Sequence, residues 1–324
     1  MEYRLLGRSG VRVSAISLGT VYFGTQVPAD AAGEIVRAAL ERGVNFLDTA
    51  EIYMRPGYGA AEEVLGRALA GRRHEVVLAT KKRRDPDQFR SGTPRDHGLS
   101  RHQIVEAVEG SLRRLRTDYV DVYYPHSVDP EVDLEVTLRA FDDLLRAGKV
   151  RAIGLSNFPA WLTVEALWIA DRRGFAPPVC VQTLYNLLDR SAERELAPAC
   201  QRHSLSLVAY SPLGGGVLTG KYRPDAPVPP DSRAAQVGHR PSGRPGHIPV
   251  LDPAYLAAAE RLGAVARELG ATAGQAAIAW VLRQPAVASV IVGASSVAQL
   301  DQNLTALDLR LDAEAEARLA AAMV

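Results

Sequence analysis

Asp48, Lys81, His126, Ser156-Asn157, Gln182 and Tyr210 each close a short apolar segment of the chain. Together they supply a carboxylate, an ammonium, an imidazole, amides, a hydroxyl and a phenol. Such groups move protons, stabilise charge developing on an oxygen and fix a polar ring by hydrogen bonds. They lie far apart in sequence, so joint chemistry requires a fold that gathers strand ends. A barrel of alternating parallel strands and helices does this, because the C-terminal end of every strand opens on the same face.

The elements that would position these residues are legible. Strand-length apolar segments occur at Ala15–Gly19, Val44–Asp48, Val76–Thr80, Tyr119–Tyr124, Val150–Leu155, Val179–Gln182, Leu205–Tyr210 and Ser289–Val292. Most are nearly continuous apolar runs, as expected of parallel strands covered on both faces. Helix-period segments lie between them at about 30–42, 59–70, 101–116, 132–147, 159–173, 191–203, 255–284 and 296–307, with a terminal helix near 312–322. In the second, Val64, Leu65, Ala68 and Leu69 share one face. The expected fold is α/β: a (β/α)8 TIM barrel forming one domain over residues 1–324, with an N-terminal β-hairpin at 3–13 and long loops at the C-terminal face. An open doubly wound sheet would carry a glycine-rich dinucleotide turn after its first strand, and Gly19-Thr20-Val21-Tyr22-Phe23-Gly24 does not fit that fingerprint. Residues 82–100 and 212–252 interrupt the alternation and follow strand ends, which places both at the active-site face.

Bulk properties narrow the classes of function. The net charge of +1, with acids and bases interspersed, gives no broad attraction to nucleic acid or to an anionic membrane. No segment has the length of a membrane span, and Met1–Gly7 lacks the apolar core of a signal peptide, so a cytoplasmic protein is expected. Cys180 and Cys200 have no metal-ligand spacing and read as reduced core thiols, which leaves no metal site. An oligomer is compatible with the sequence.

The run from Gly43 through Asp48-Thr49-Ala50-Glu51-Ile52-Tyr53 resembles the signature of the aldo-keto reductases. The resemblance continues through Ala79-Thr80-Lys81, Asp118 to His126, and Gly148 to Phe158. It resumes at Gln182 to Asn186 and Ala209 to Leu213, and ends at Val292 to Ser296 with Gln299 and Asn303. The glycine-rich stretch Ser211–Tyr222 is similar to the branch holding bacterial reductases and potassium-channel β-subunits.

This resemblance implies an NADPH-dependent reduction of an aldehyde or ketone, with Tyr53, Asp48, Lys81 and His126 as the catalytic set. Tyr53 would be the general acid, and a neighbouring ammonium on Lys81 would lower its pKa from near ~10. Asp48 would hold Lys81, and His126 would orient the carbonyl. The nicotinamide would be met by Gly19, Thr20, Asp48, Ser156, Asn157 and Gln182, with Tyr210 as its stacking plane. Ser211, Leu213, Gly214, Gly216 and Lys221 would hold the pyrophosphate. Gly293, Ser295, Gln299, Gln302 and Asn303 would meet the adenosine end. Tyr22, Phe23, Tyr53, Met54 and His126 would line the substrate pocket.

Many family members place a lysine near Gly293 and an arginine at Gln299 to grip a 2′-phosphate, and this chain has neither. Arg233 matches an arginine used instead in the channel-subunit-like branch, which favours NADPH over NADH.

Each residue also has a bland reading: Asp48 as a helix cap, the Asp–Lys pair as structural, His126 as a satisfied polar residue and Tyr53 as a rim residue. The glycine run could be a linker, and the residues near Gly293 an ordinary turn. Lys82-Arg83-Arg84 reads as a solvated loop, and strand alternation sends one of Tyr123 and Tyr124 into the barrel and the other toward the helices. Three rival functions remain: a redox-sensing NADPH-binding subunit with slow turnover, a ketoreductase or enoyl reductase of nucleotide-linked deoxysugars, and an aldolase using Lys81 as a Schiff-base amine. The adjacent Asp48 opposes the last by keeping the amine protonated.

Overall fold

The computed structural model describes residues 1–53, 58–82, 98–223, 226–230, 232, 234–235 and 251–323. Eight parallel strands close into a barrel: β3 (Ile16–Gly19), β4 (Phe46–Asp48), β5 (Val77–Lys82), β6 (Val120–Pro125), β7 (Val150–Ser156), β8 (Cys180–Leu184), β9 (Ser206–Tyr210) and β10 (Val287–Gly293). Each neighbours the next in sequence, and β10 pairs with both β9 and β3 to close the ring. The expected (β/α)8 TIM barrel is the observed fold.

A hairpin of β1 (Tyr3–Leu5) and β2 (Arg12–Ser14) covers the N-terminal end. It seats Leu6 and Val13, both fully buried, on the interior layer of Phe46, Val122, Cys180 and Val208. Arg4 ties the hairpin to the barrel by donating to the carbonyls of Leu282 and Val287 at 2.8 and 2.9 Å. The hairpin thereby closes over the N-terminal end of the barrel.

The helices shield the outer faces of the strands, because their apolar stripes need a partner and the strands are apolar on both sides. In order they are α1 (Ala29–Glu41), α2 (Ala60–Ala68), α3 (Arg101–Leu115), α4 (Leu134–Arg146), α5 (Ala160–Arg173) and α6 (Leu196–His203), then α7 (Pro253–Glu268), α8 (Ala273–Leu282), α9 (Val297–Leu304) and α10 (Ala313–Ala321). Tyr123 stacks on Phe141 of α4, with ring centroids 5.1 Å apart, while Tyr124 joins the interior layer, as strand alternation requires.

The segment 255–284 differs from the single helix expected. It is two helices, α7 and α8, broken at Leu269–Thr272. Gly270 sits at φ +70°, and Thr272 caps α8 in a reciprocal box with Gln275. The apolar period runs on across the break and hides it. Likewise α6 begins at Leu196, because Ser191–Glu193 form only a 3-10 turn.

Candidate active site

Asp48 ends β4, Lys81 is the penultimate residue of β5 and His126 follows β6 directly. All three stand at the open mouth, and Tyr53 reaches in from the loop after β4. The Lys81 ammonium donates to Asp48 Oδ1 at 2.5 Å, to the Thr49 carbonyl at 2.8 Å and to the Tyr53 hydroxyl at 2.8 Å. Three donors thus meet three acceptors, and an ammonium has no more to offer. The Tyr53 hydroxyl donates in turn to Asp48 Oδ1 at 2.9 Å. Gln182 Nε2 donates to the other carboxylate oxygen at 2.7 Å. The Lys81 and Asp48 side chains are 1 % and 3 % exposed, so their ion pair is a buried one.

His126 lies against Tyr53 edge-on, with ring centroids 6.2 Å apart and planes at 87°. Its backbone is held on both sides. The peptide N–H donates to the Lys82 carbonyl at 2.8 Å, and the carbonyl accepts from Asn157 Nδ2 at 2.8 Å.

The direction of the Tyr53 pKa is opposite to that expected from the sequence. Burial and the Asp48 carboxylate hold the phenol well above its ordinary range, so it keeps its proton. A sequence shows the neighbouring Lys81 charge but neither the burial of the phenol nor its bond to Asp48. Burial also lowers the Lys81 pKa, with Asp48 opposing that shift.

The strand ends bring the expected nicotinamide-binding residues together. Ser156 pairs in register with Gln182, and Gly19 with both Asp48 and Gly293. Thr20 is buried and donates from its hydroxyl to the Asp48 carbonyl at 3.1 Å. Tyr210 donates to Asn157 Oδ1 at 2.8 Å, completing a chain from Tyr210 through Asn157 to His126.

Beyond Tyr210, Ser211 takes φ +54°, and Gly214, Gly215 and Gly216 all take positive φ. The Gly214 and Gly216 N–H groups donate within this turn, to the carbonyls of Ser211 and Leu213 at 3.0 and 2.9 Å, which fixes its shape. Lys221 lies over this turn: a Cβ on Gly216 would fall 2.7 Å from Lys221 Cε. At the end of β10, Gln299 Oε1 accepts from the Ser295 N–H and hydroxyl at 2.7 and 3.0 Å, and Asn303 Nδ2 donates to the Gly293 carbonyl at 3.2 Å. Gln302 is exposed, and its backbone carbonyl accepts from Thr305.

The residues expected at the pocket divide. Tyr22 and Tyr53 are half-buried, whereas Phe23 is 1 % exposed and sits with Val27 in the apolar layer outside the barrel. The turn after β3 folds back, with the Phe23 N–H on the Thr20 carbonyl, and the ring is buried in a cluster against which Tyr22 and Tyr53 also pack. Met54 and Arg233 lie outside the described residues.

Sequence reasoning missed four contributors. Thr49 supplies a carbonyl to Lys81. Asn186, fully buried, donates to the Ser211 carbonyl at 2.9 Å and so anchors the glycine turn. Lys82 is not solvated as expected: its side chain is 6 % exposed and pairs with the fully buried Glu51 at 3.1 Å. The signal was present, because Lys82 is one residue beyond Lys81 on the same strand and must face the opposite side.

The sequence profile of the Aldo/keto reductase family matches residues 15–323. The chain belongs to that family. It is therefore an NAD(P)H-dependent oxidoreductase, and the polar groups of Ser156, Asn157 and Gln182, gathered at neighbouring strand ends, suit the carboxamide of a nicotinamide. A probable voltage-gated potassium channel subunit beta of Arabidopsis thaliana is 38% identical over 315 residues, covering 95% of this reductase and 92% of the plant protein. A protein of the same description from Oryza sativa subsp. japonica is 40% identical over 315 residues, covering 95% and 92%. An uncharacterized oxidoreductase, YrpG, of Bacillus subtilis (strain 168) is 36% identical over 318 residues, covering 97% and 93%. No helix among the described residues is long and apolar enough to cross a membrane.

Proposed function

We propose that this reductase converts an aldehyde or ketone to an alcohol with NADPH, Tyr53 giving its proton to the carbonyl oxygen. One observation carries the reading: the Tyr53 hydroxyl lies 2.8 Å from the Lys81 ammonium, beside the His126 ring, at the mouth of the barrel. A bound reduced nicotinamide supplies the hydride. Ser156, Asn157 and Gln182 would fix its carboxamide, Tyr210 would cover one face, and Ser211, Leu213, Gly214, Gly216 and Lys221 would hold the pyrophosphate.

The protein's own part is to manage charge on oxygen. In the free site Tyr53 donates to Asp48; with a substrate oxygen present the hydroxyl rotates and donates there instead. His126 donates a second hydrogen bond to the same oxygen and fixes the carbonyl plane. When the proton leaves Tyr53, the phenolate lies against the Lys81 ammonium, which favours it. Asp48 keeps Lys81 in place throughout, and Gln182 occupies the second carboxylate oxygen. The three acceptors around the Lys81 ammonium also speak against a Schiff-base aldolase, which needs a free amine.

NADPH is preferred over NADH on the match of Arg233, since a guanidinium suits a 2′-phosphate. The test is a panel of aldehydes, ketones and keto-sugars, followed by loss of reduced-nicotinamide absorbance with either nucleotide. Turnover with NADPH is expected, and no turnover with any carbonyl would refute the reading. The description of the plant relatives as channel β-subunits favours a second reading, a nicotinamide-binding regulatory subunit that turns over slowly. It predicts tight NADPH binding with turnover slow across the whole panel.

A further inference from the structure

Two adjacent lysines on β5, Lys81 and Lys82, are both buried, and each has its own carboxylate, Asp48 and Glu51, on the segment that leads to Tyr53. The proposed reduction uses the first pair. The second lies outside the barrel interior and touches no reacting group.

A buried ion pair is a poor source of stability, because removing both charges from water offsets most of their attraction. What the pair does supply is fixed geometry. Glu51 is held at three points: its N–H on the Lys81 carbonyl at 3.4 Å, its carbonyl on the Gly59 N–H at 2.8 Å, and its carboxylate between Lys82 and the Tyr58 hydroxyl at 3.1 and 3.3 Å. Tyr53 follows two residues later. Lys82 also accepts the His126 N–H on its carbonyl, and it adjoins Lys81 through the chain. One residue is therefore bonded, through its side chain, its carbonyl or the chain itself, to the segments that carry Tyr53, His126 and Lys81.

We propose that Lys82 and Glu51 are positioning residues of the reduction, their ion pair tying the loop that carries Tyr53 to the end of β5. The inference rests on the reductase reading of the site. Loss of the tie lets the phenol drift from Lys81 while the nucleotide contacts on the far strands stay in place.

The test is the set K82M, E51Q and the double variant, read by kcat, KM, NADPH affinity and thermal unfolding. Carbon-13 NMR of tyrosine Cζ in the cofactor-free protein is added, with the Tyr53 signal assigned by its loss in Y53F. K82M is expected to lower kcat roughly 10- to 100-fold, the scale of a small misplacement of a reacting group, with KM and NADPH affinity near their original values. The double variant leaves no buried charge unpaired, so it regains thermal stability but not kcat, and its Tyr53 signal stays displaced. It carries the test alone if K82M does not fold. Recovery of kcat together with stability in the double variant, or an unmoved Tyr53 signal in all three, would overturn the proposal. Absence of any carbonyl reduction by the unsubstituted protein would refute the reaction instead, and the Tyr53 signal would still decide the tie.

Discussion

Lys81 is the residue on which the site's electrostatics turn. Its ammonium is 1 % exposed and neutralises a carboxylate that is 3 % exposed. Replacing it by Met leaves Asp48 buried without its cation, which costs about 3–5 kcal/mol for a pair of this kind. Urea unfolding of K81M should show a loss of that size, and turnover should fall about 10²–10⁴-fold if Lys81 supports proton transfer. A variant of unchanged stability would mean that the ion pair is not formed. As the general acid of the proposed reduction, Tyr53 would set its pH dependence. Burial and Asp48 raise its pKa, so the acid form persists through neutrality and is lost only as pH rises beyond the ordinary phenol value of ~10. The profile of kcat for reduction should accordingly show no Tyr53-dependent loss between about pH 6 and 9. A loss in that window that follows Tyr53 would show that the phenol does not hold its proton as described.

At the scale of elements, the barrel interior is set by side chains that exclude a Cβ. A methyl on Gly154 of β7 would fall 2.2 Å from Tyr124 Cε1 and 3.0 Å from Cys180 Sγ. Tyr124 cannot easily turn, since its hydroxyl meets Cys180 Sγ at 3.3 Å. G154A should therefore destabilise by about 1–3 kcal/mol or more through overpacking, measured by chemical unfolding; a neutral effect would show that the layer is loose. The same scale shows what the sequence could reveal. Strands such as Val120–Pro125 and Val150–Ser156 were legible because a buried parallel strand must be apolar on both faces, so a polar residue at its end marks the mouth. The break at Leu269–Thr272 was not, since Ala273–Leu282 is buried nearly all round and its apolar run continues that of the preceding helix. Lys82 was misread because a run of basic residues resembles solvated loop, whereas the strand extends through it and Glu51 covers it. Asp48, Lys81 and His126 were legible as polar residues at strand ends, whereas Tyr53 lies in the loop after β4 and stood out only through the family resemblance. The direction of the Tyr53 pKa was not legible, because burial belongs to the folded chain rather than to any local pattern.

For the molecule as a whole, the buried thiols bear on stability at high pH. Burial pushes Cys180 and Cys200 up to about 12. The unfolded chain releases these protons near ~8.5, while the folded chain retains them. Stability from this source is full below that value and is lost as pH rises toward the folded pKa, at about 1.4 kcal/mol per pH unit for each thiol. Urea unfolding at about pH 8 and about pH 10.5 should show the decline, and C200S should reduce it. A pH-independent midpoint would mean that the thiols are not enclosed.

The central claim is that one phenol at the barrel mouth passes its proton to a carbonyl oxygen. Its most direct test is Y53F, compared with the unsubstituted protein in a single turnover of an aldehyde and in NADPH titration. The rate should fall by about 10²–10⁴-fold, as for the loss of a general acid, while NADPH affinity stays unchanged, because the hydroxyl serves the substrate oxygen and not the nucleotide. A Y53F protein that is folded, binds NADPH and reduces the aldehyde at the original rate would contradict the account.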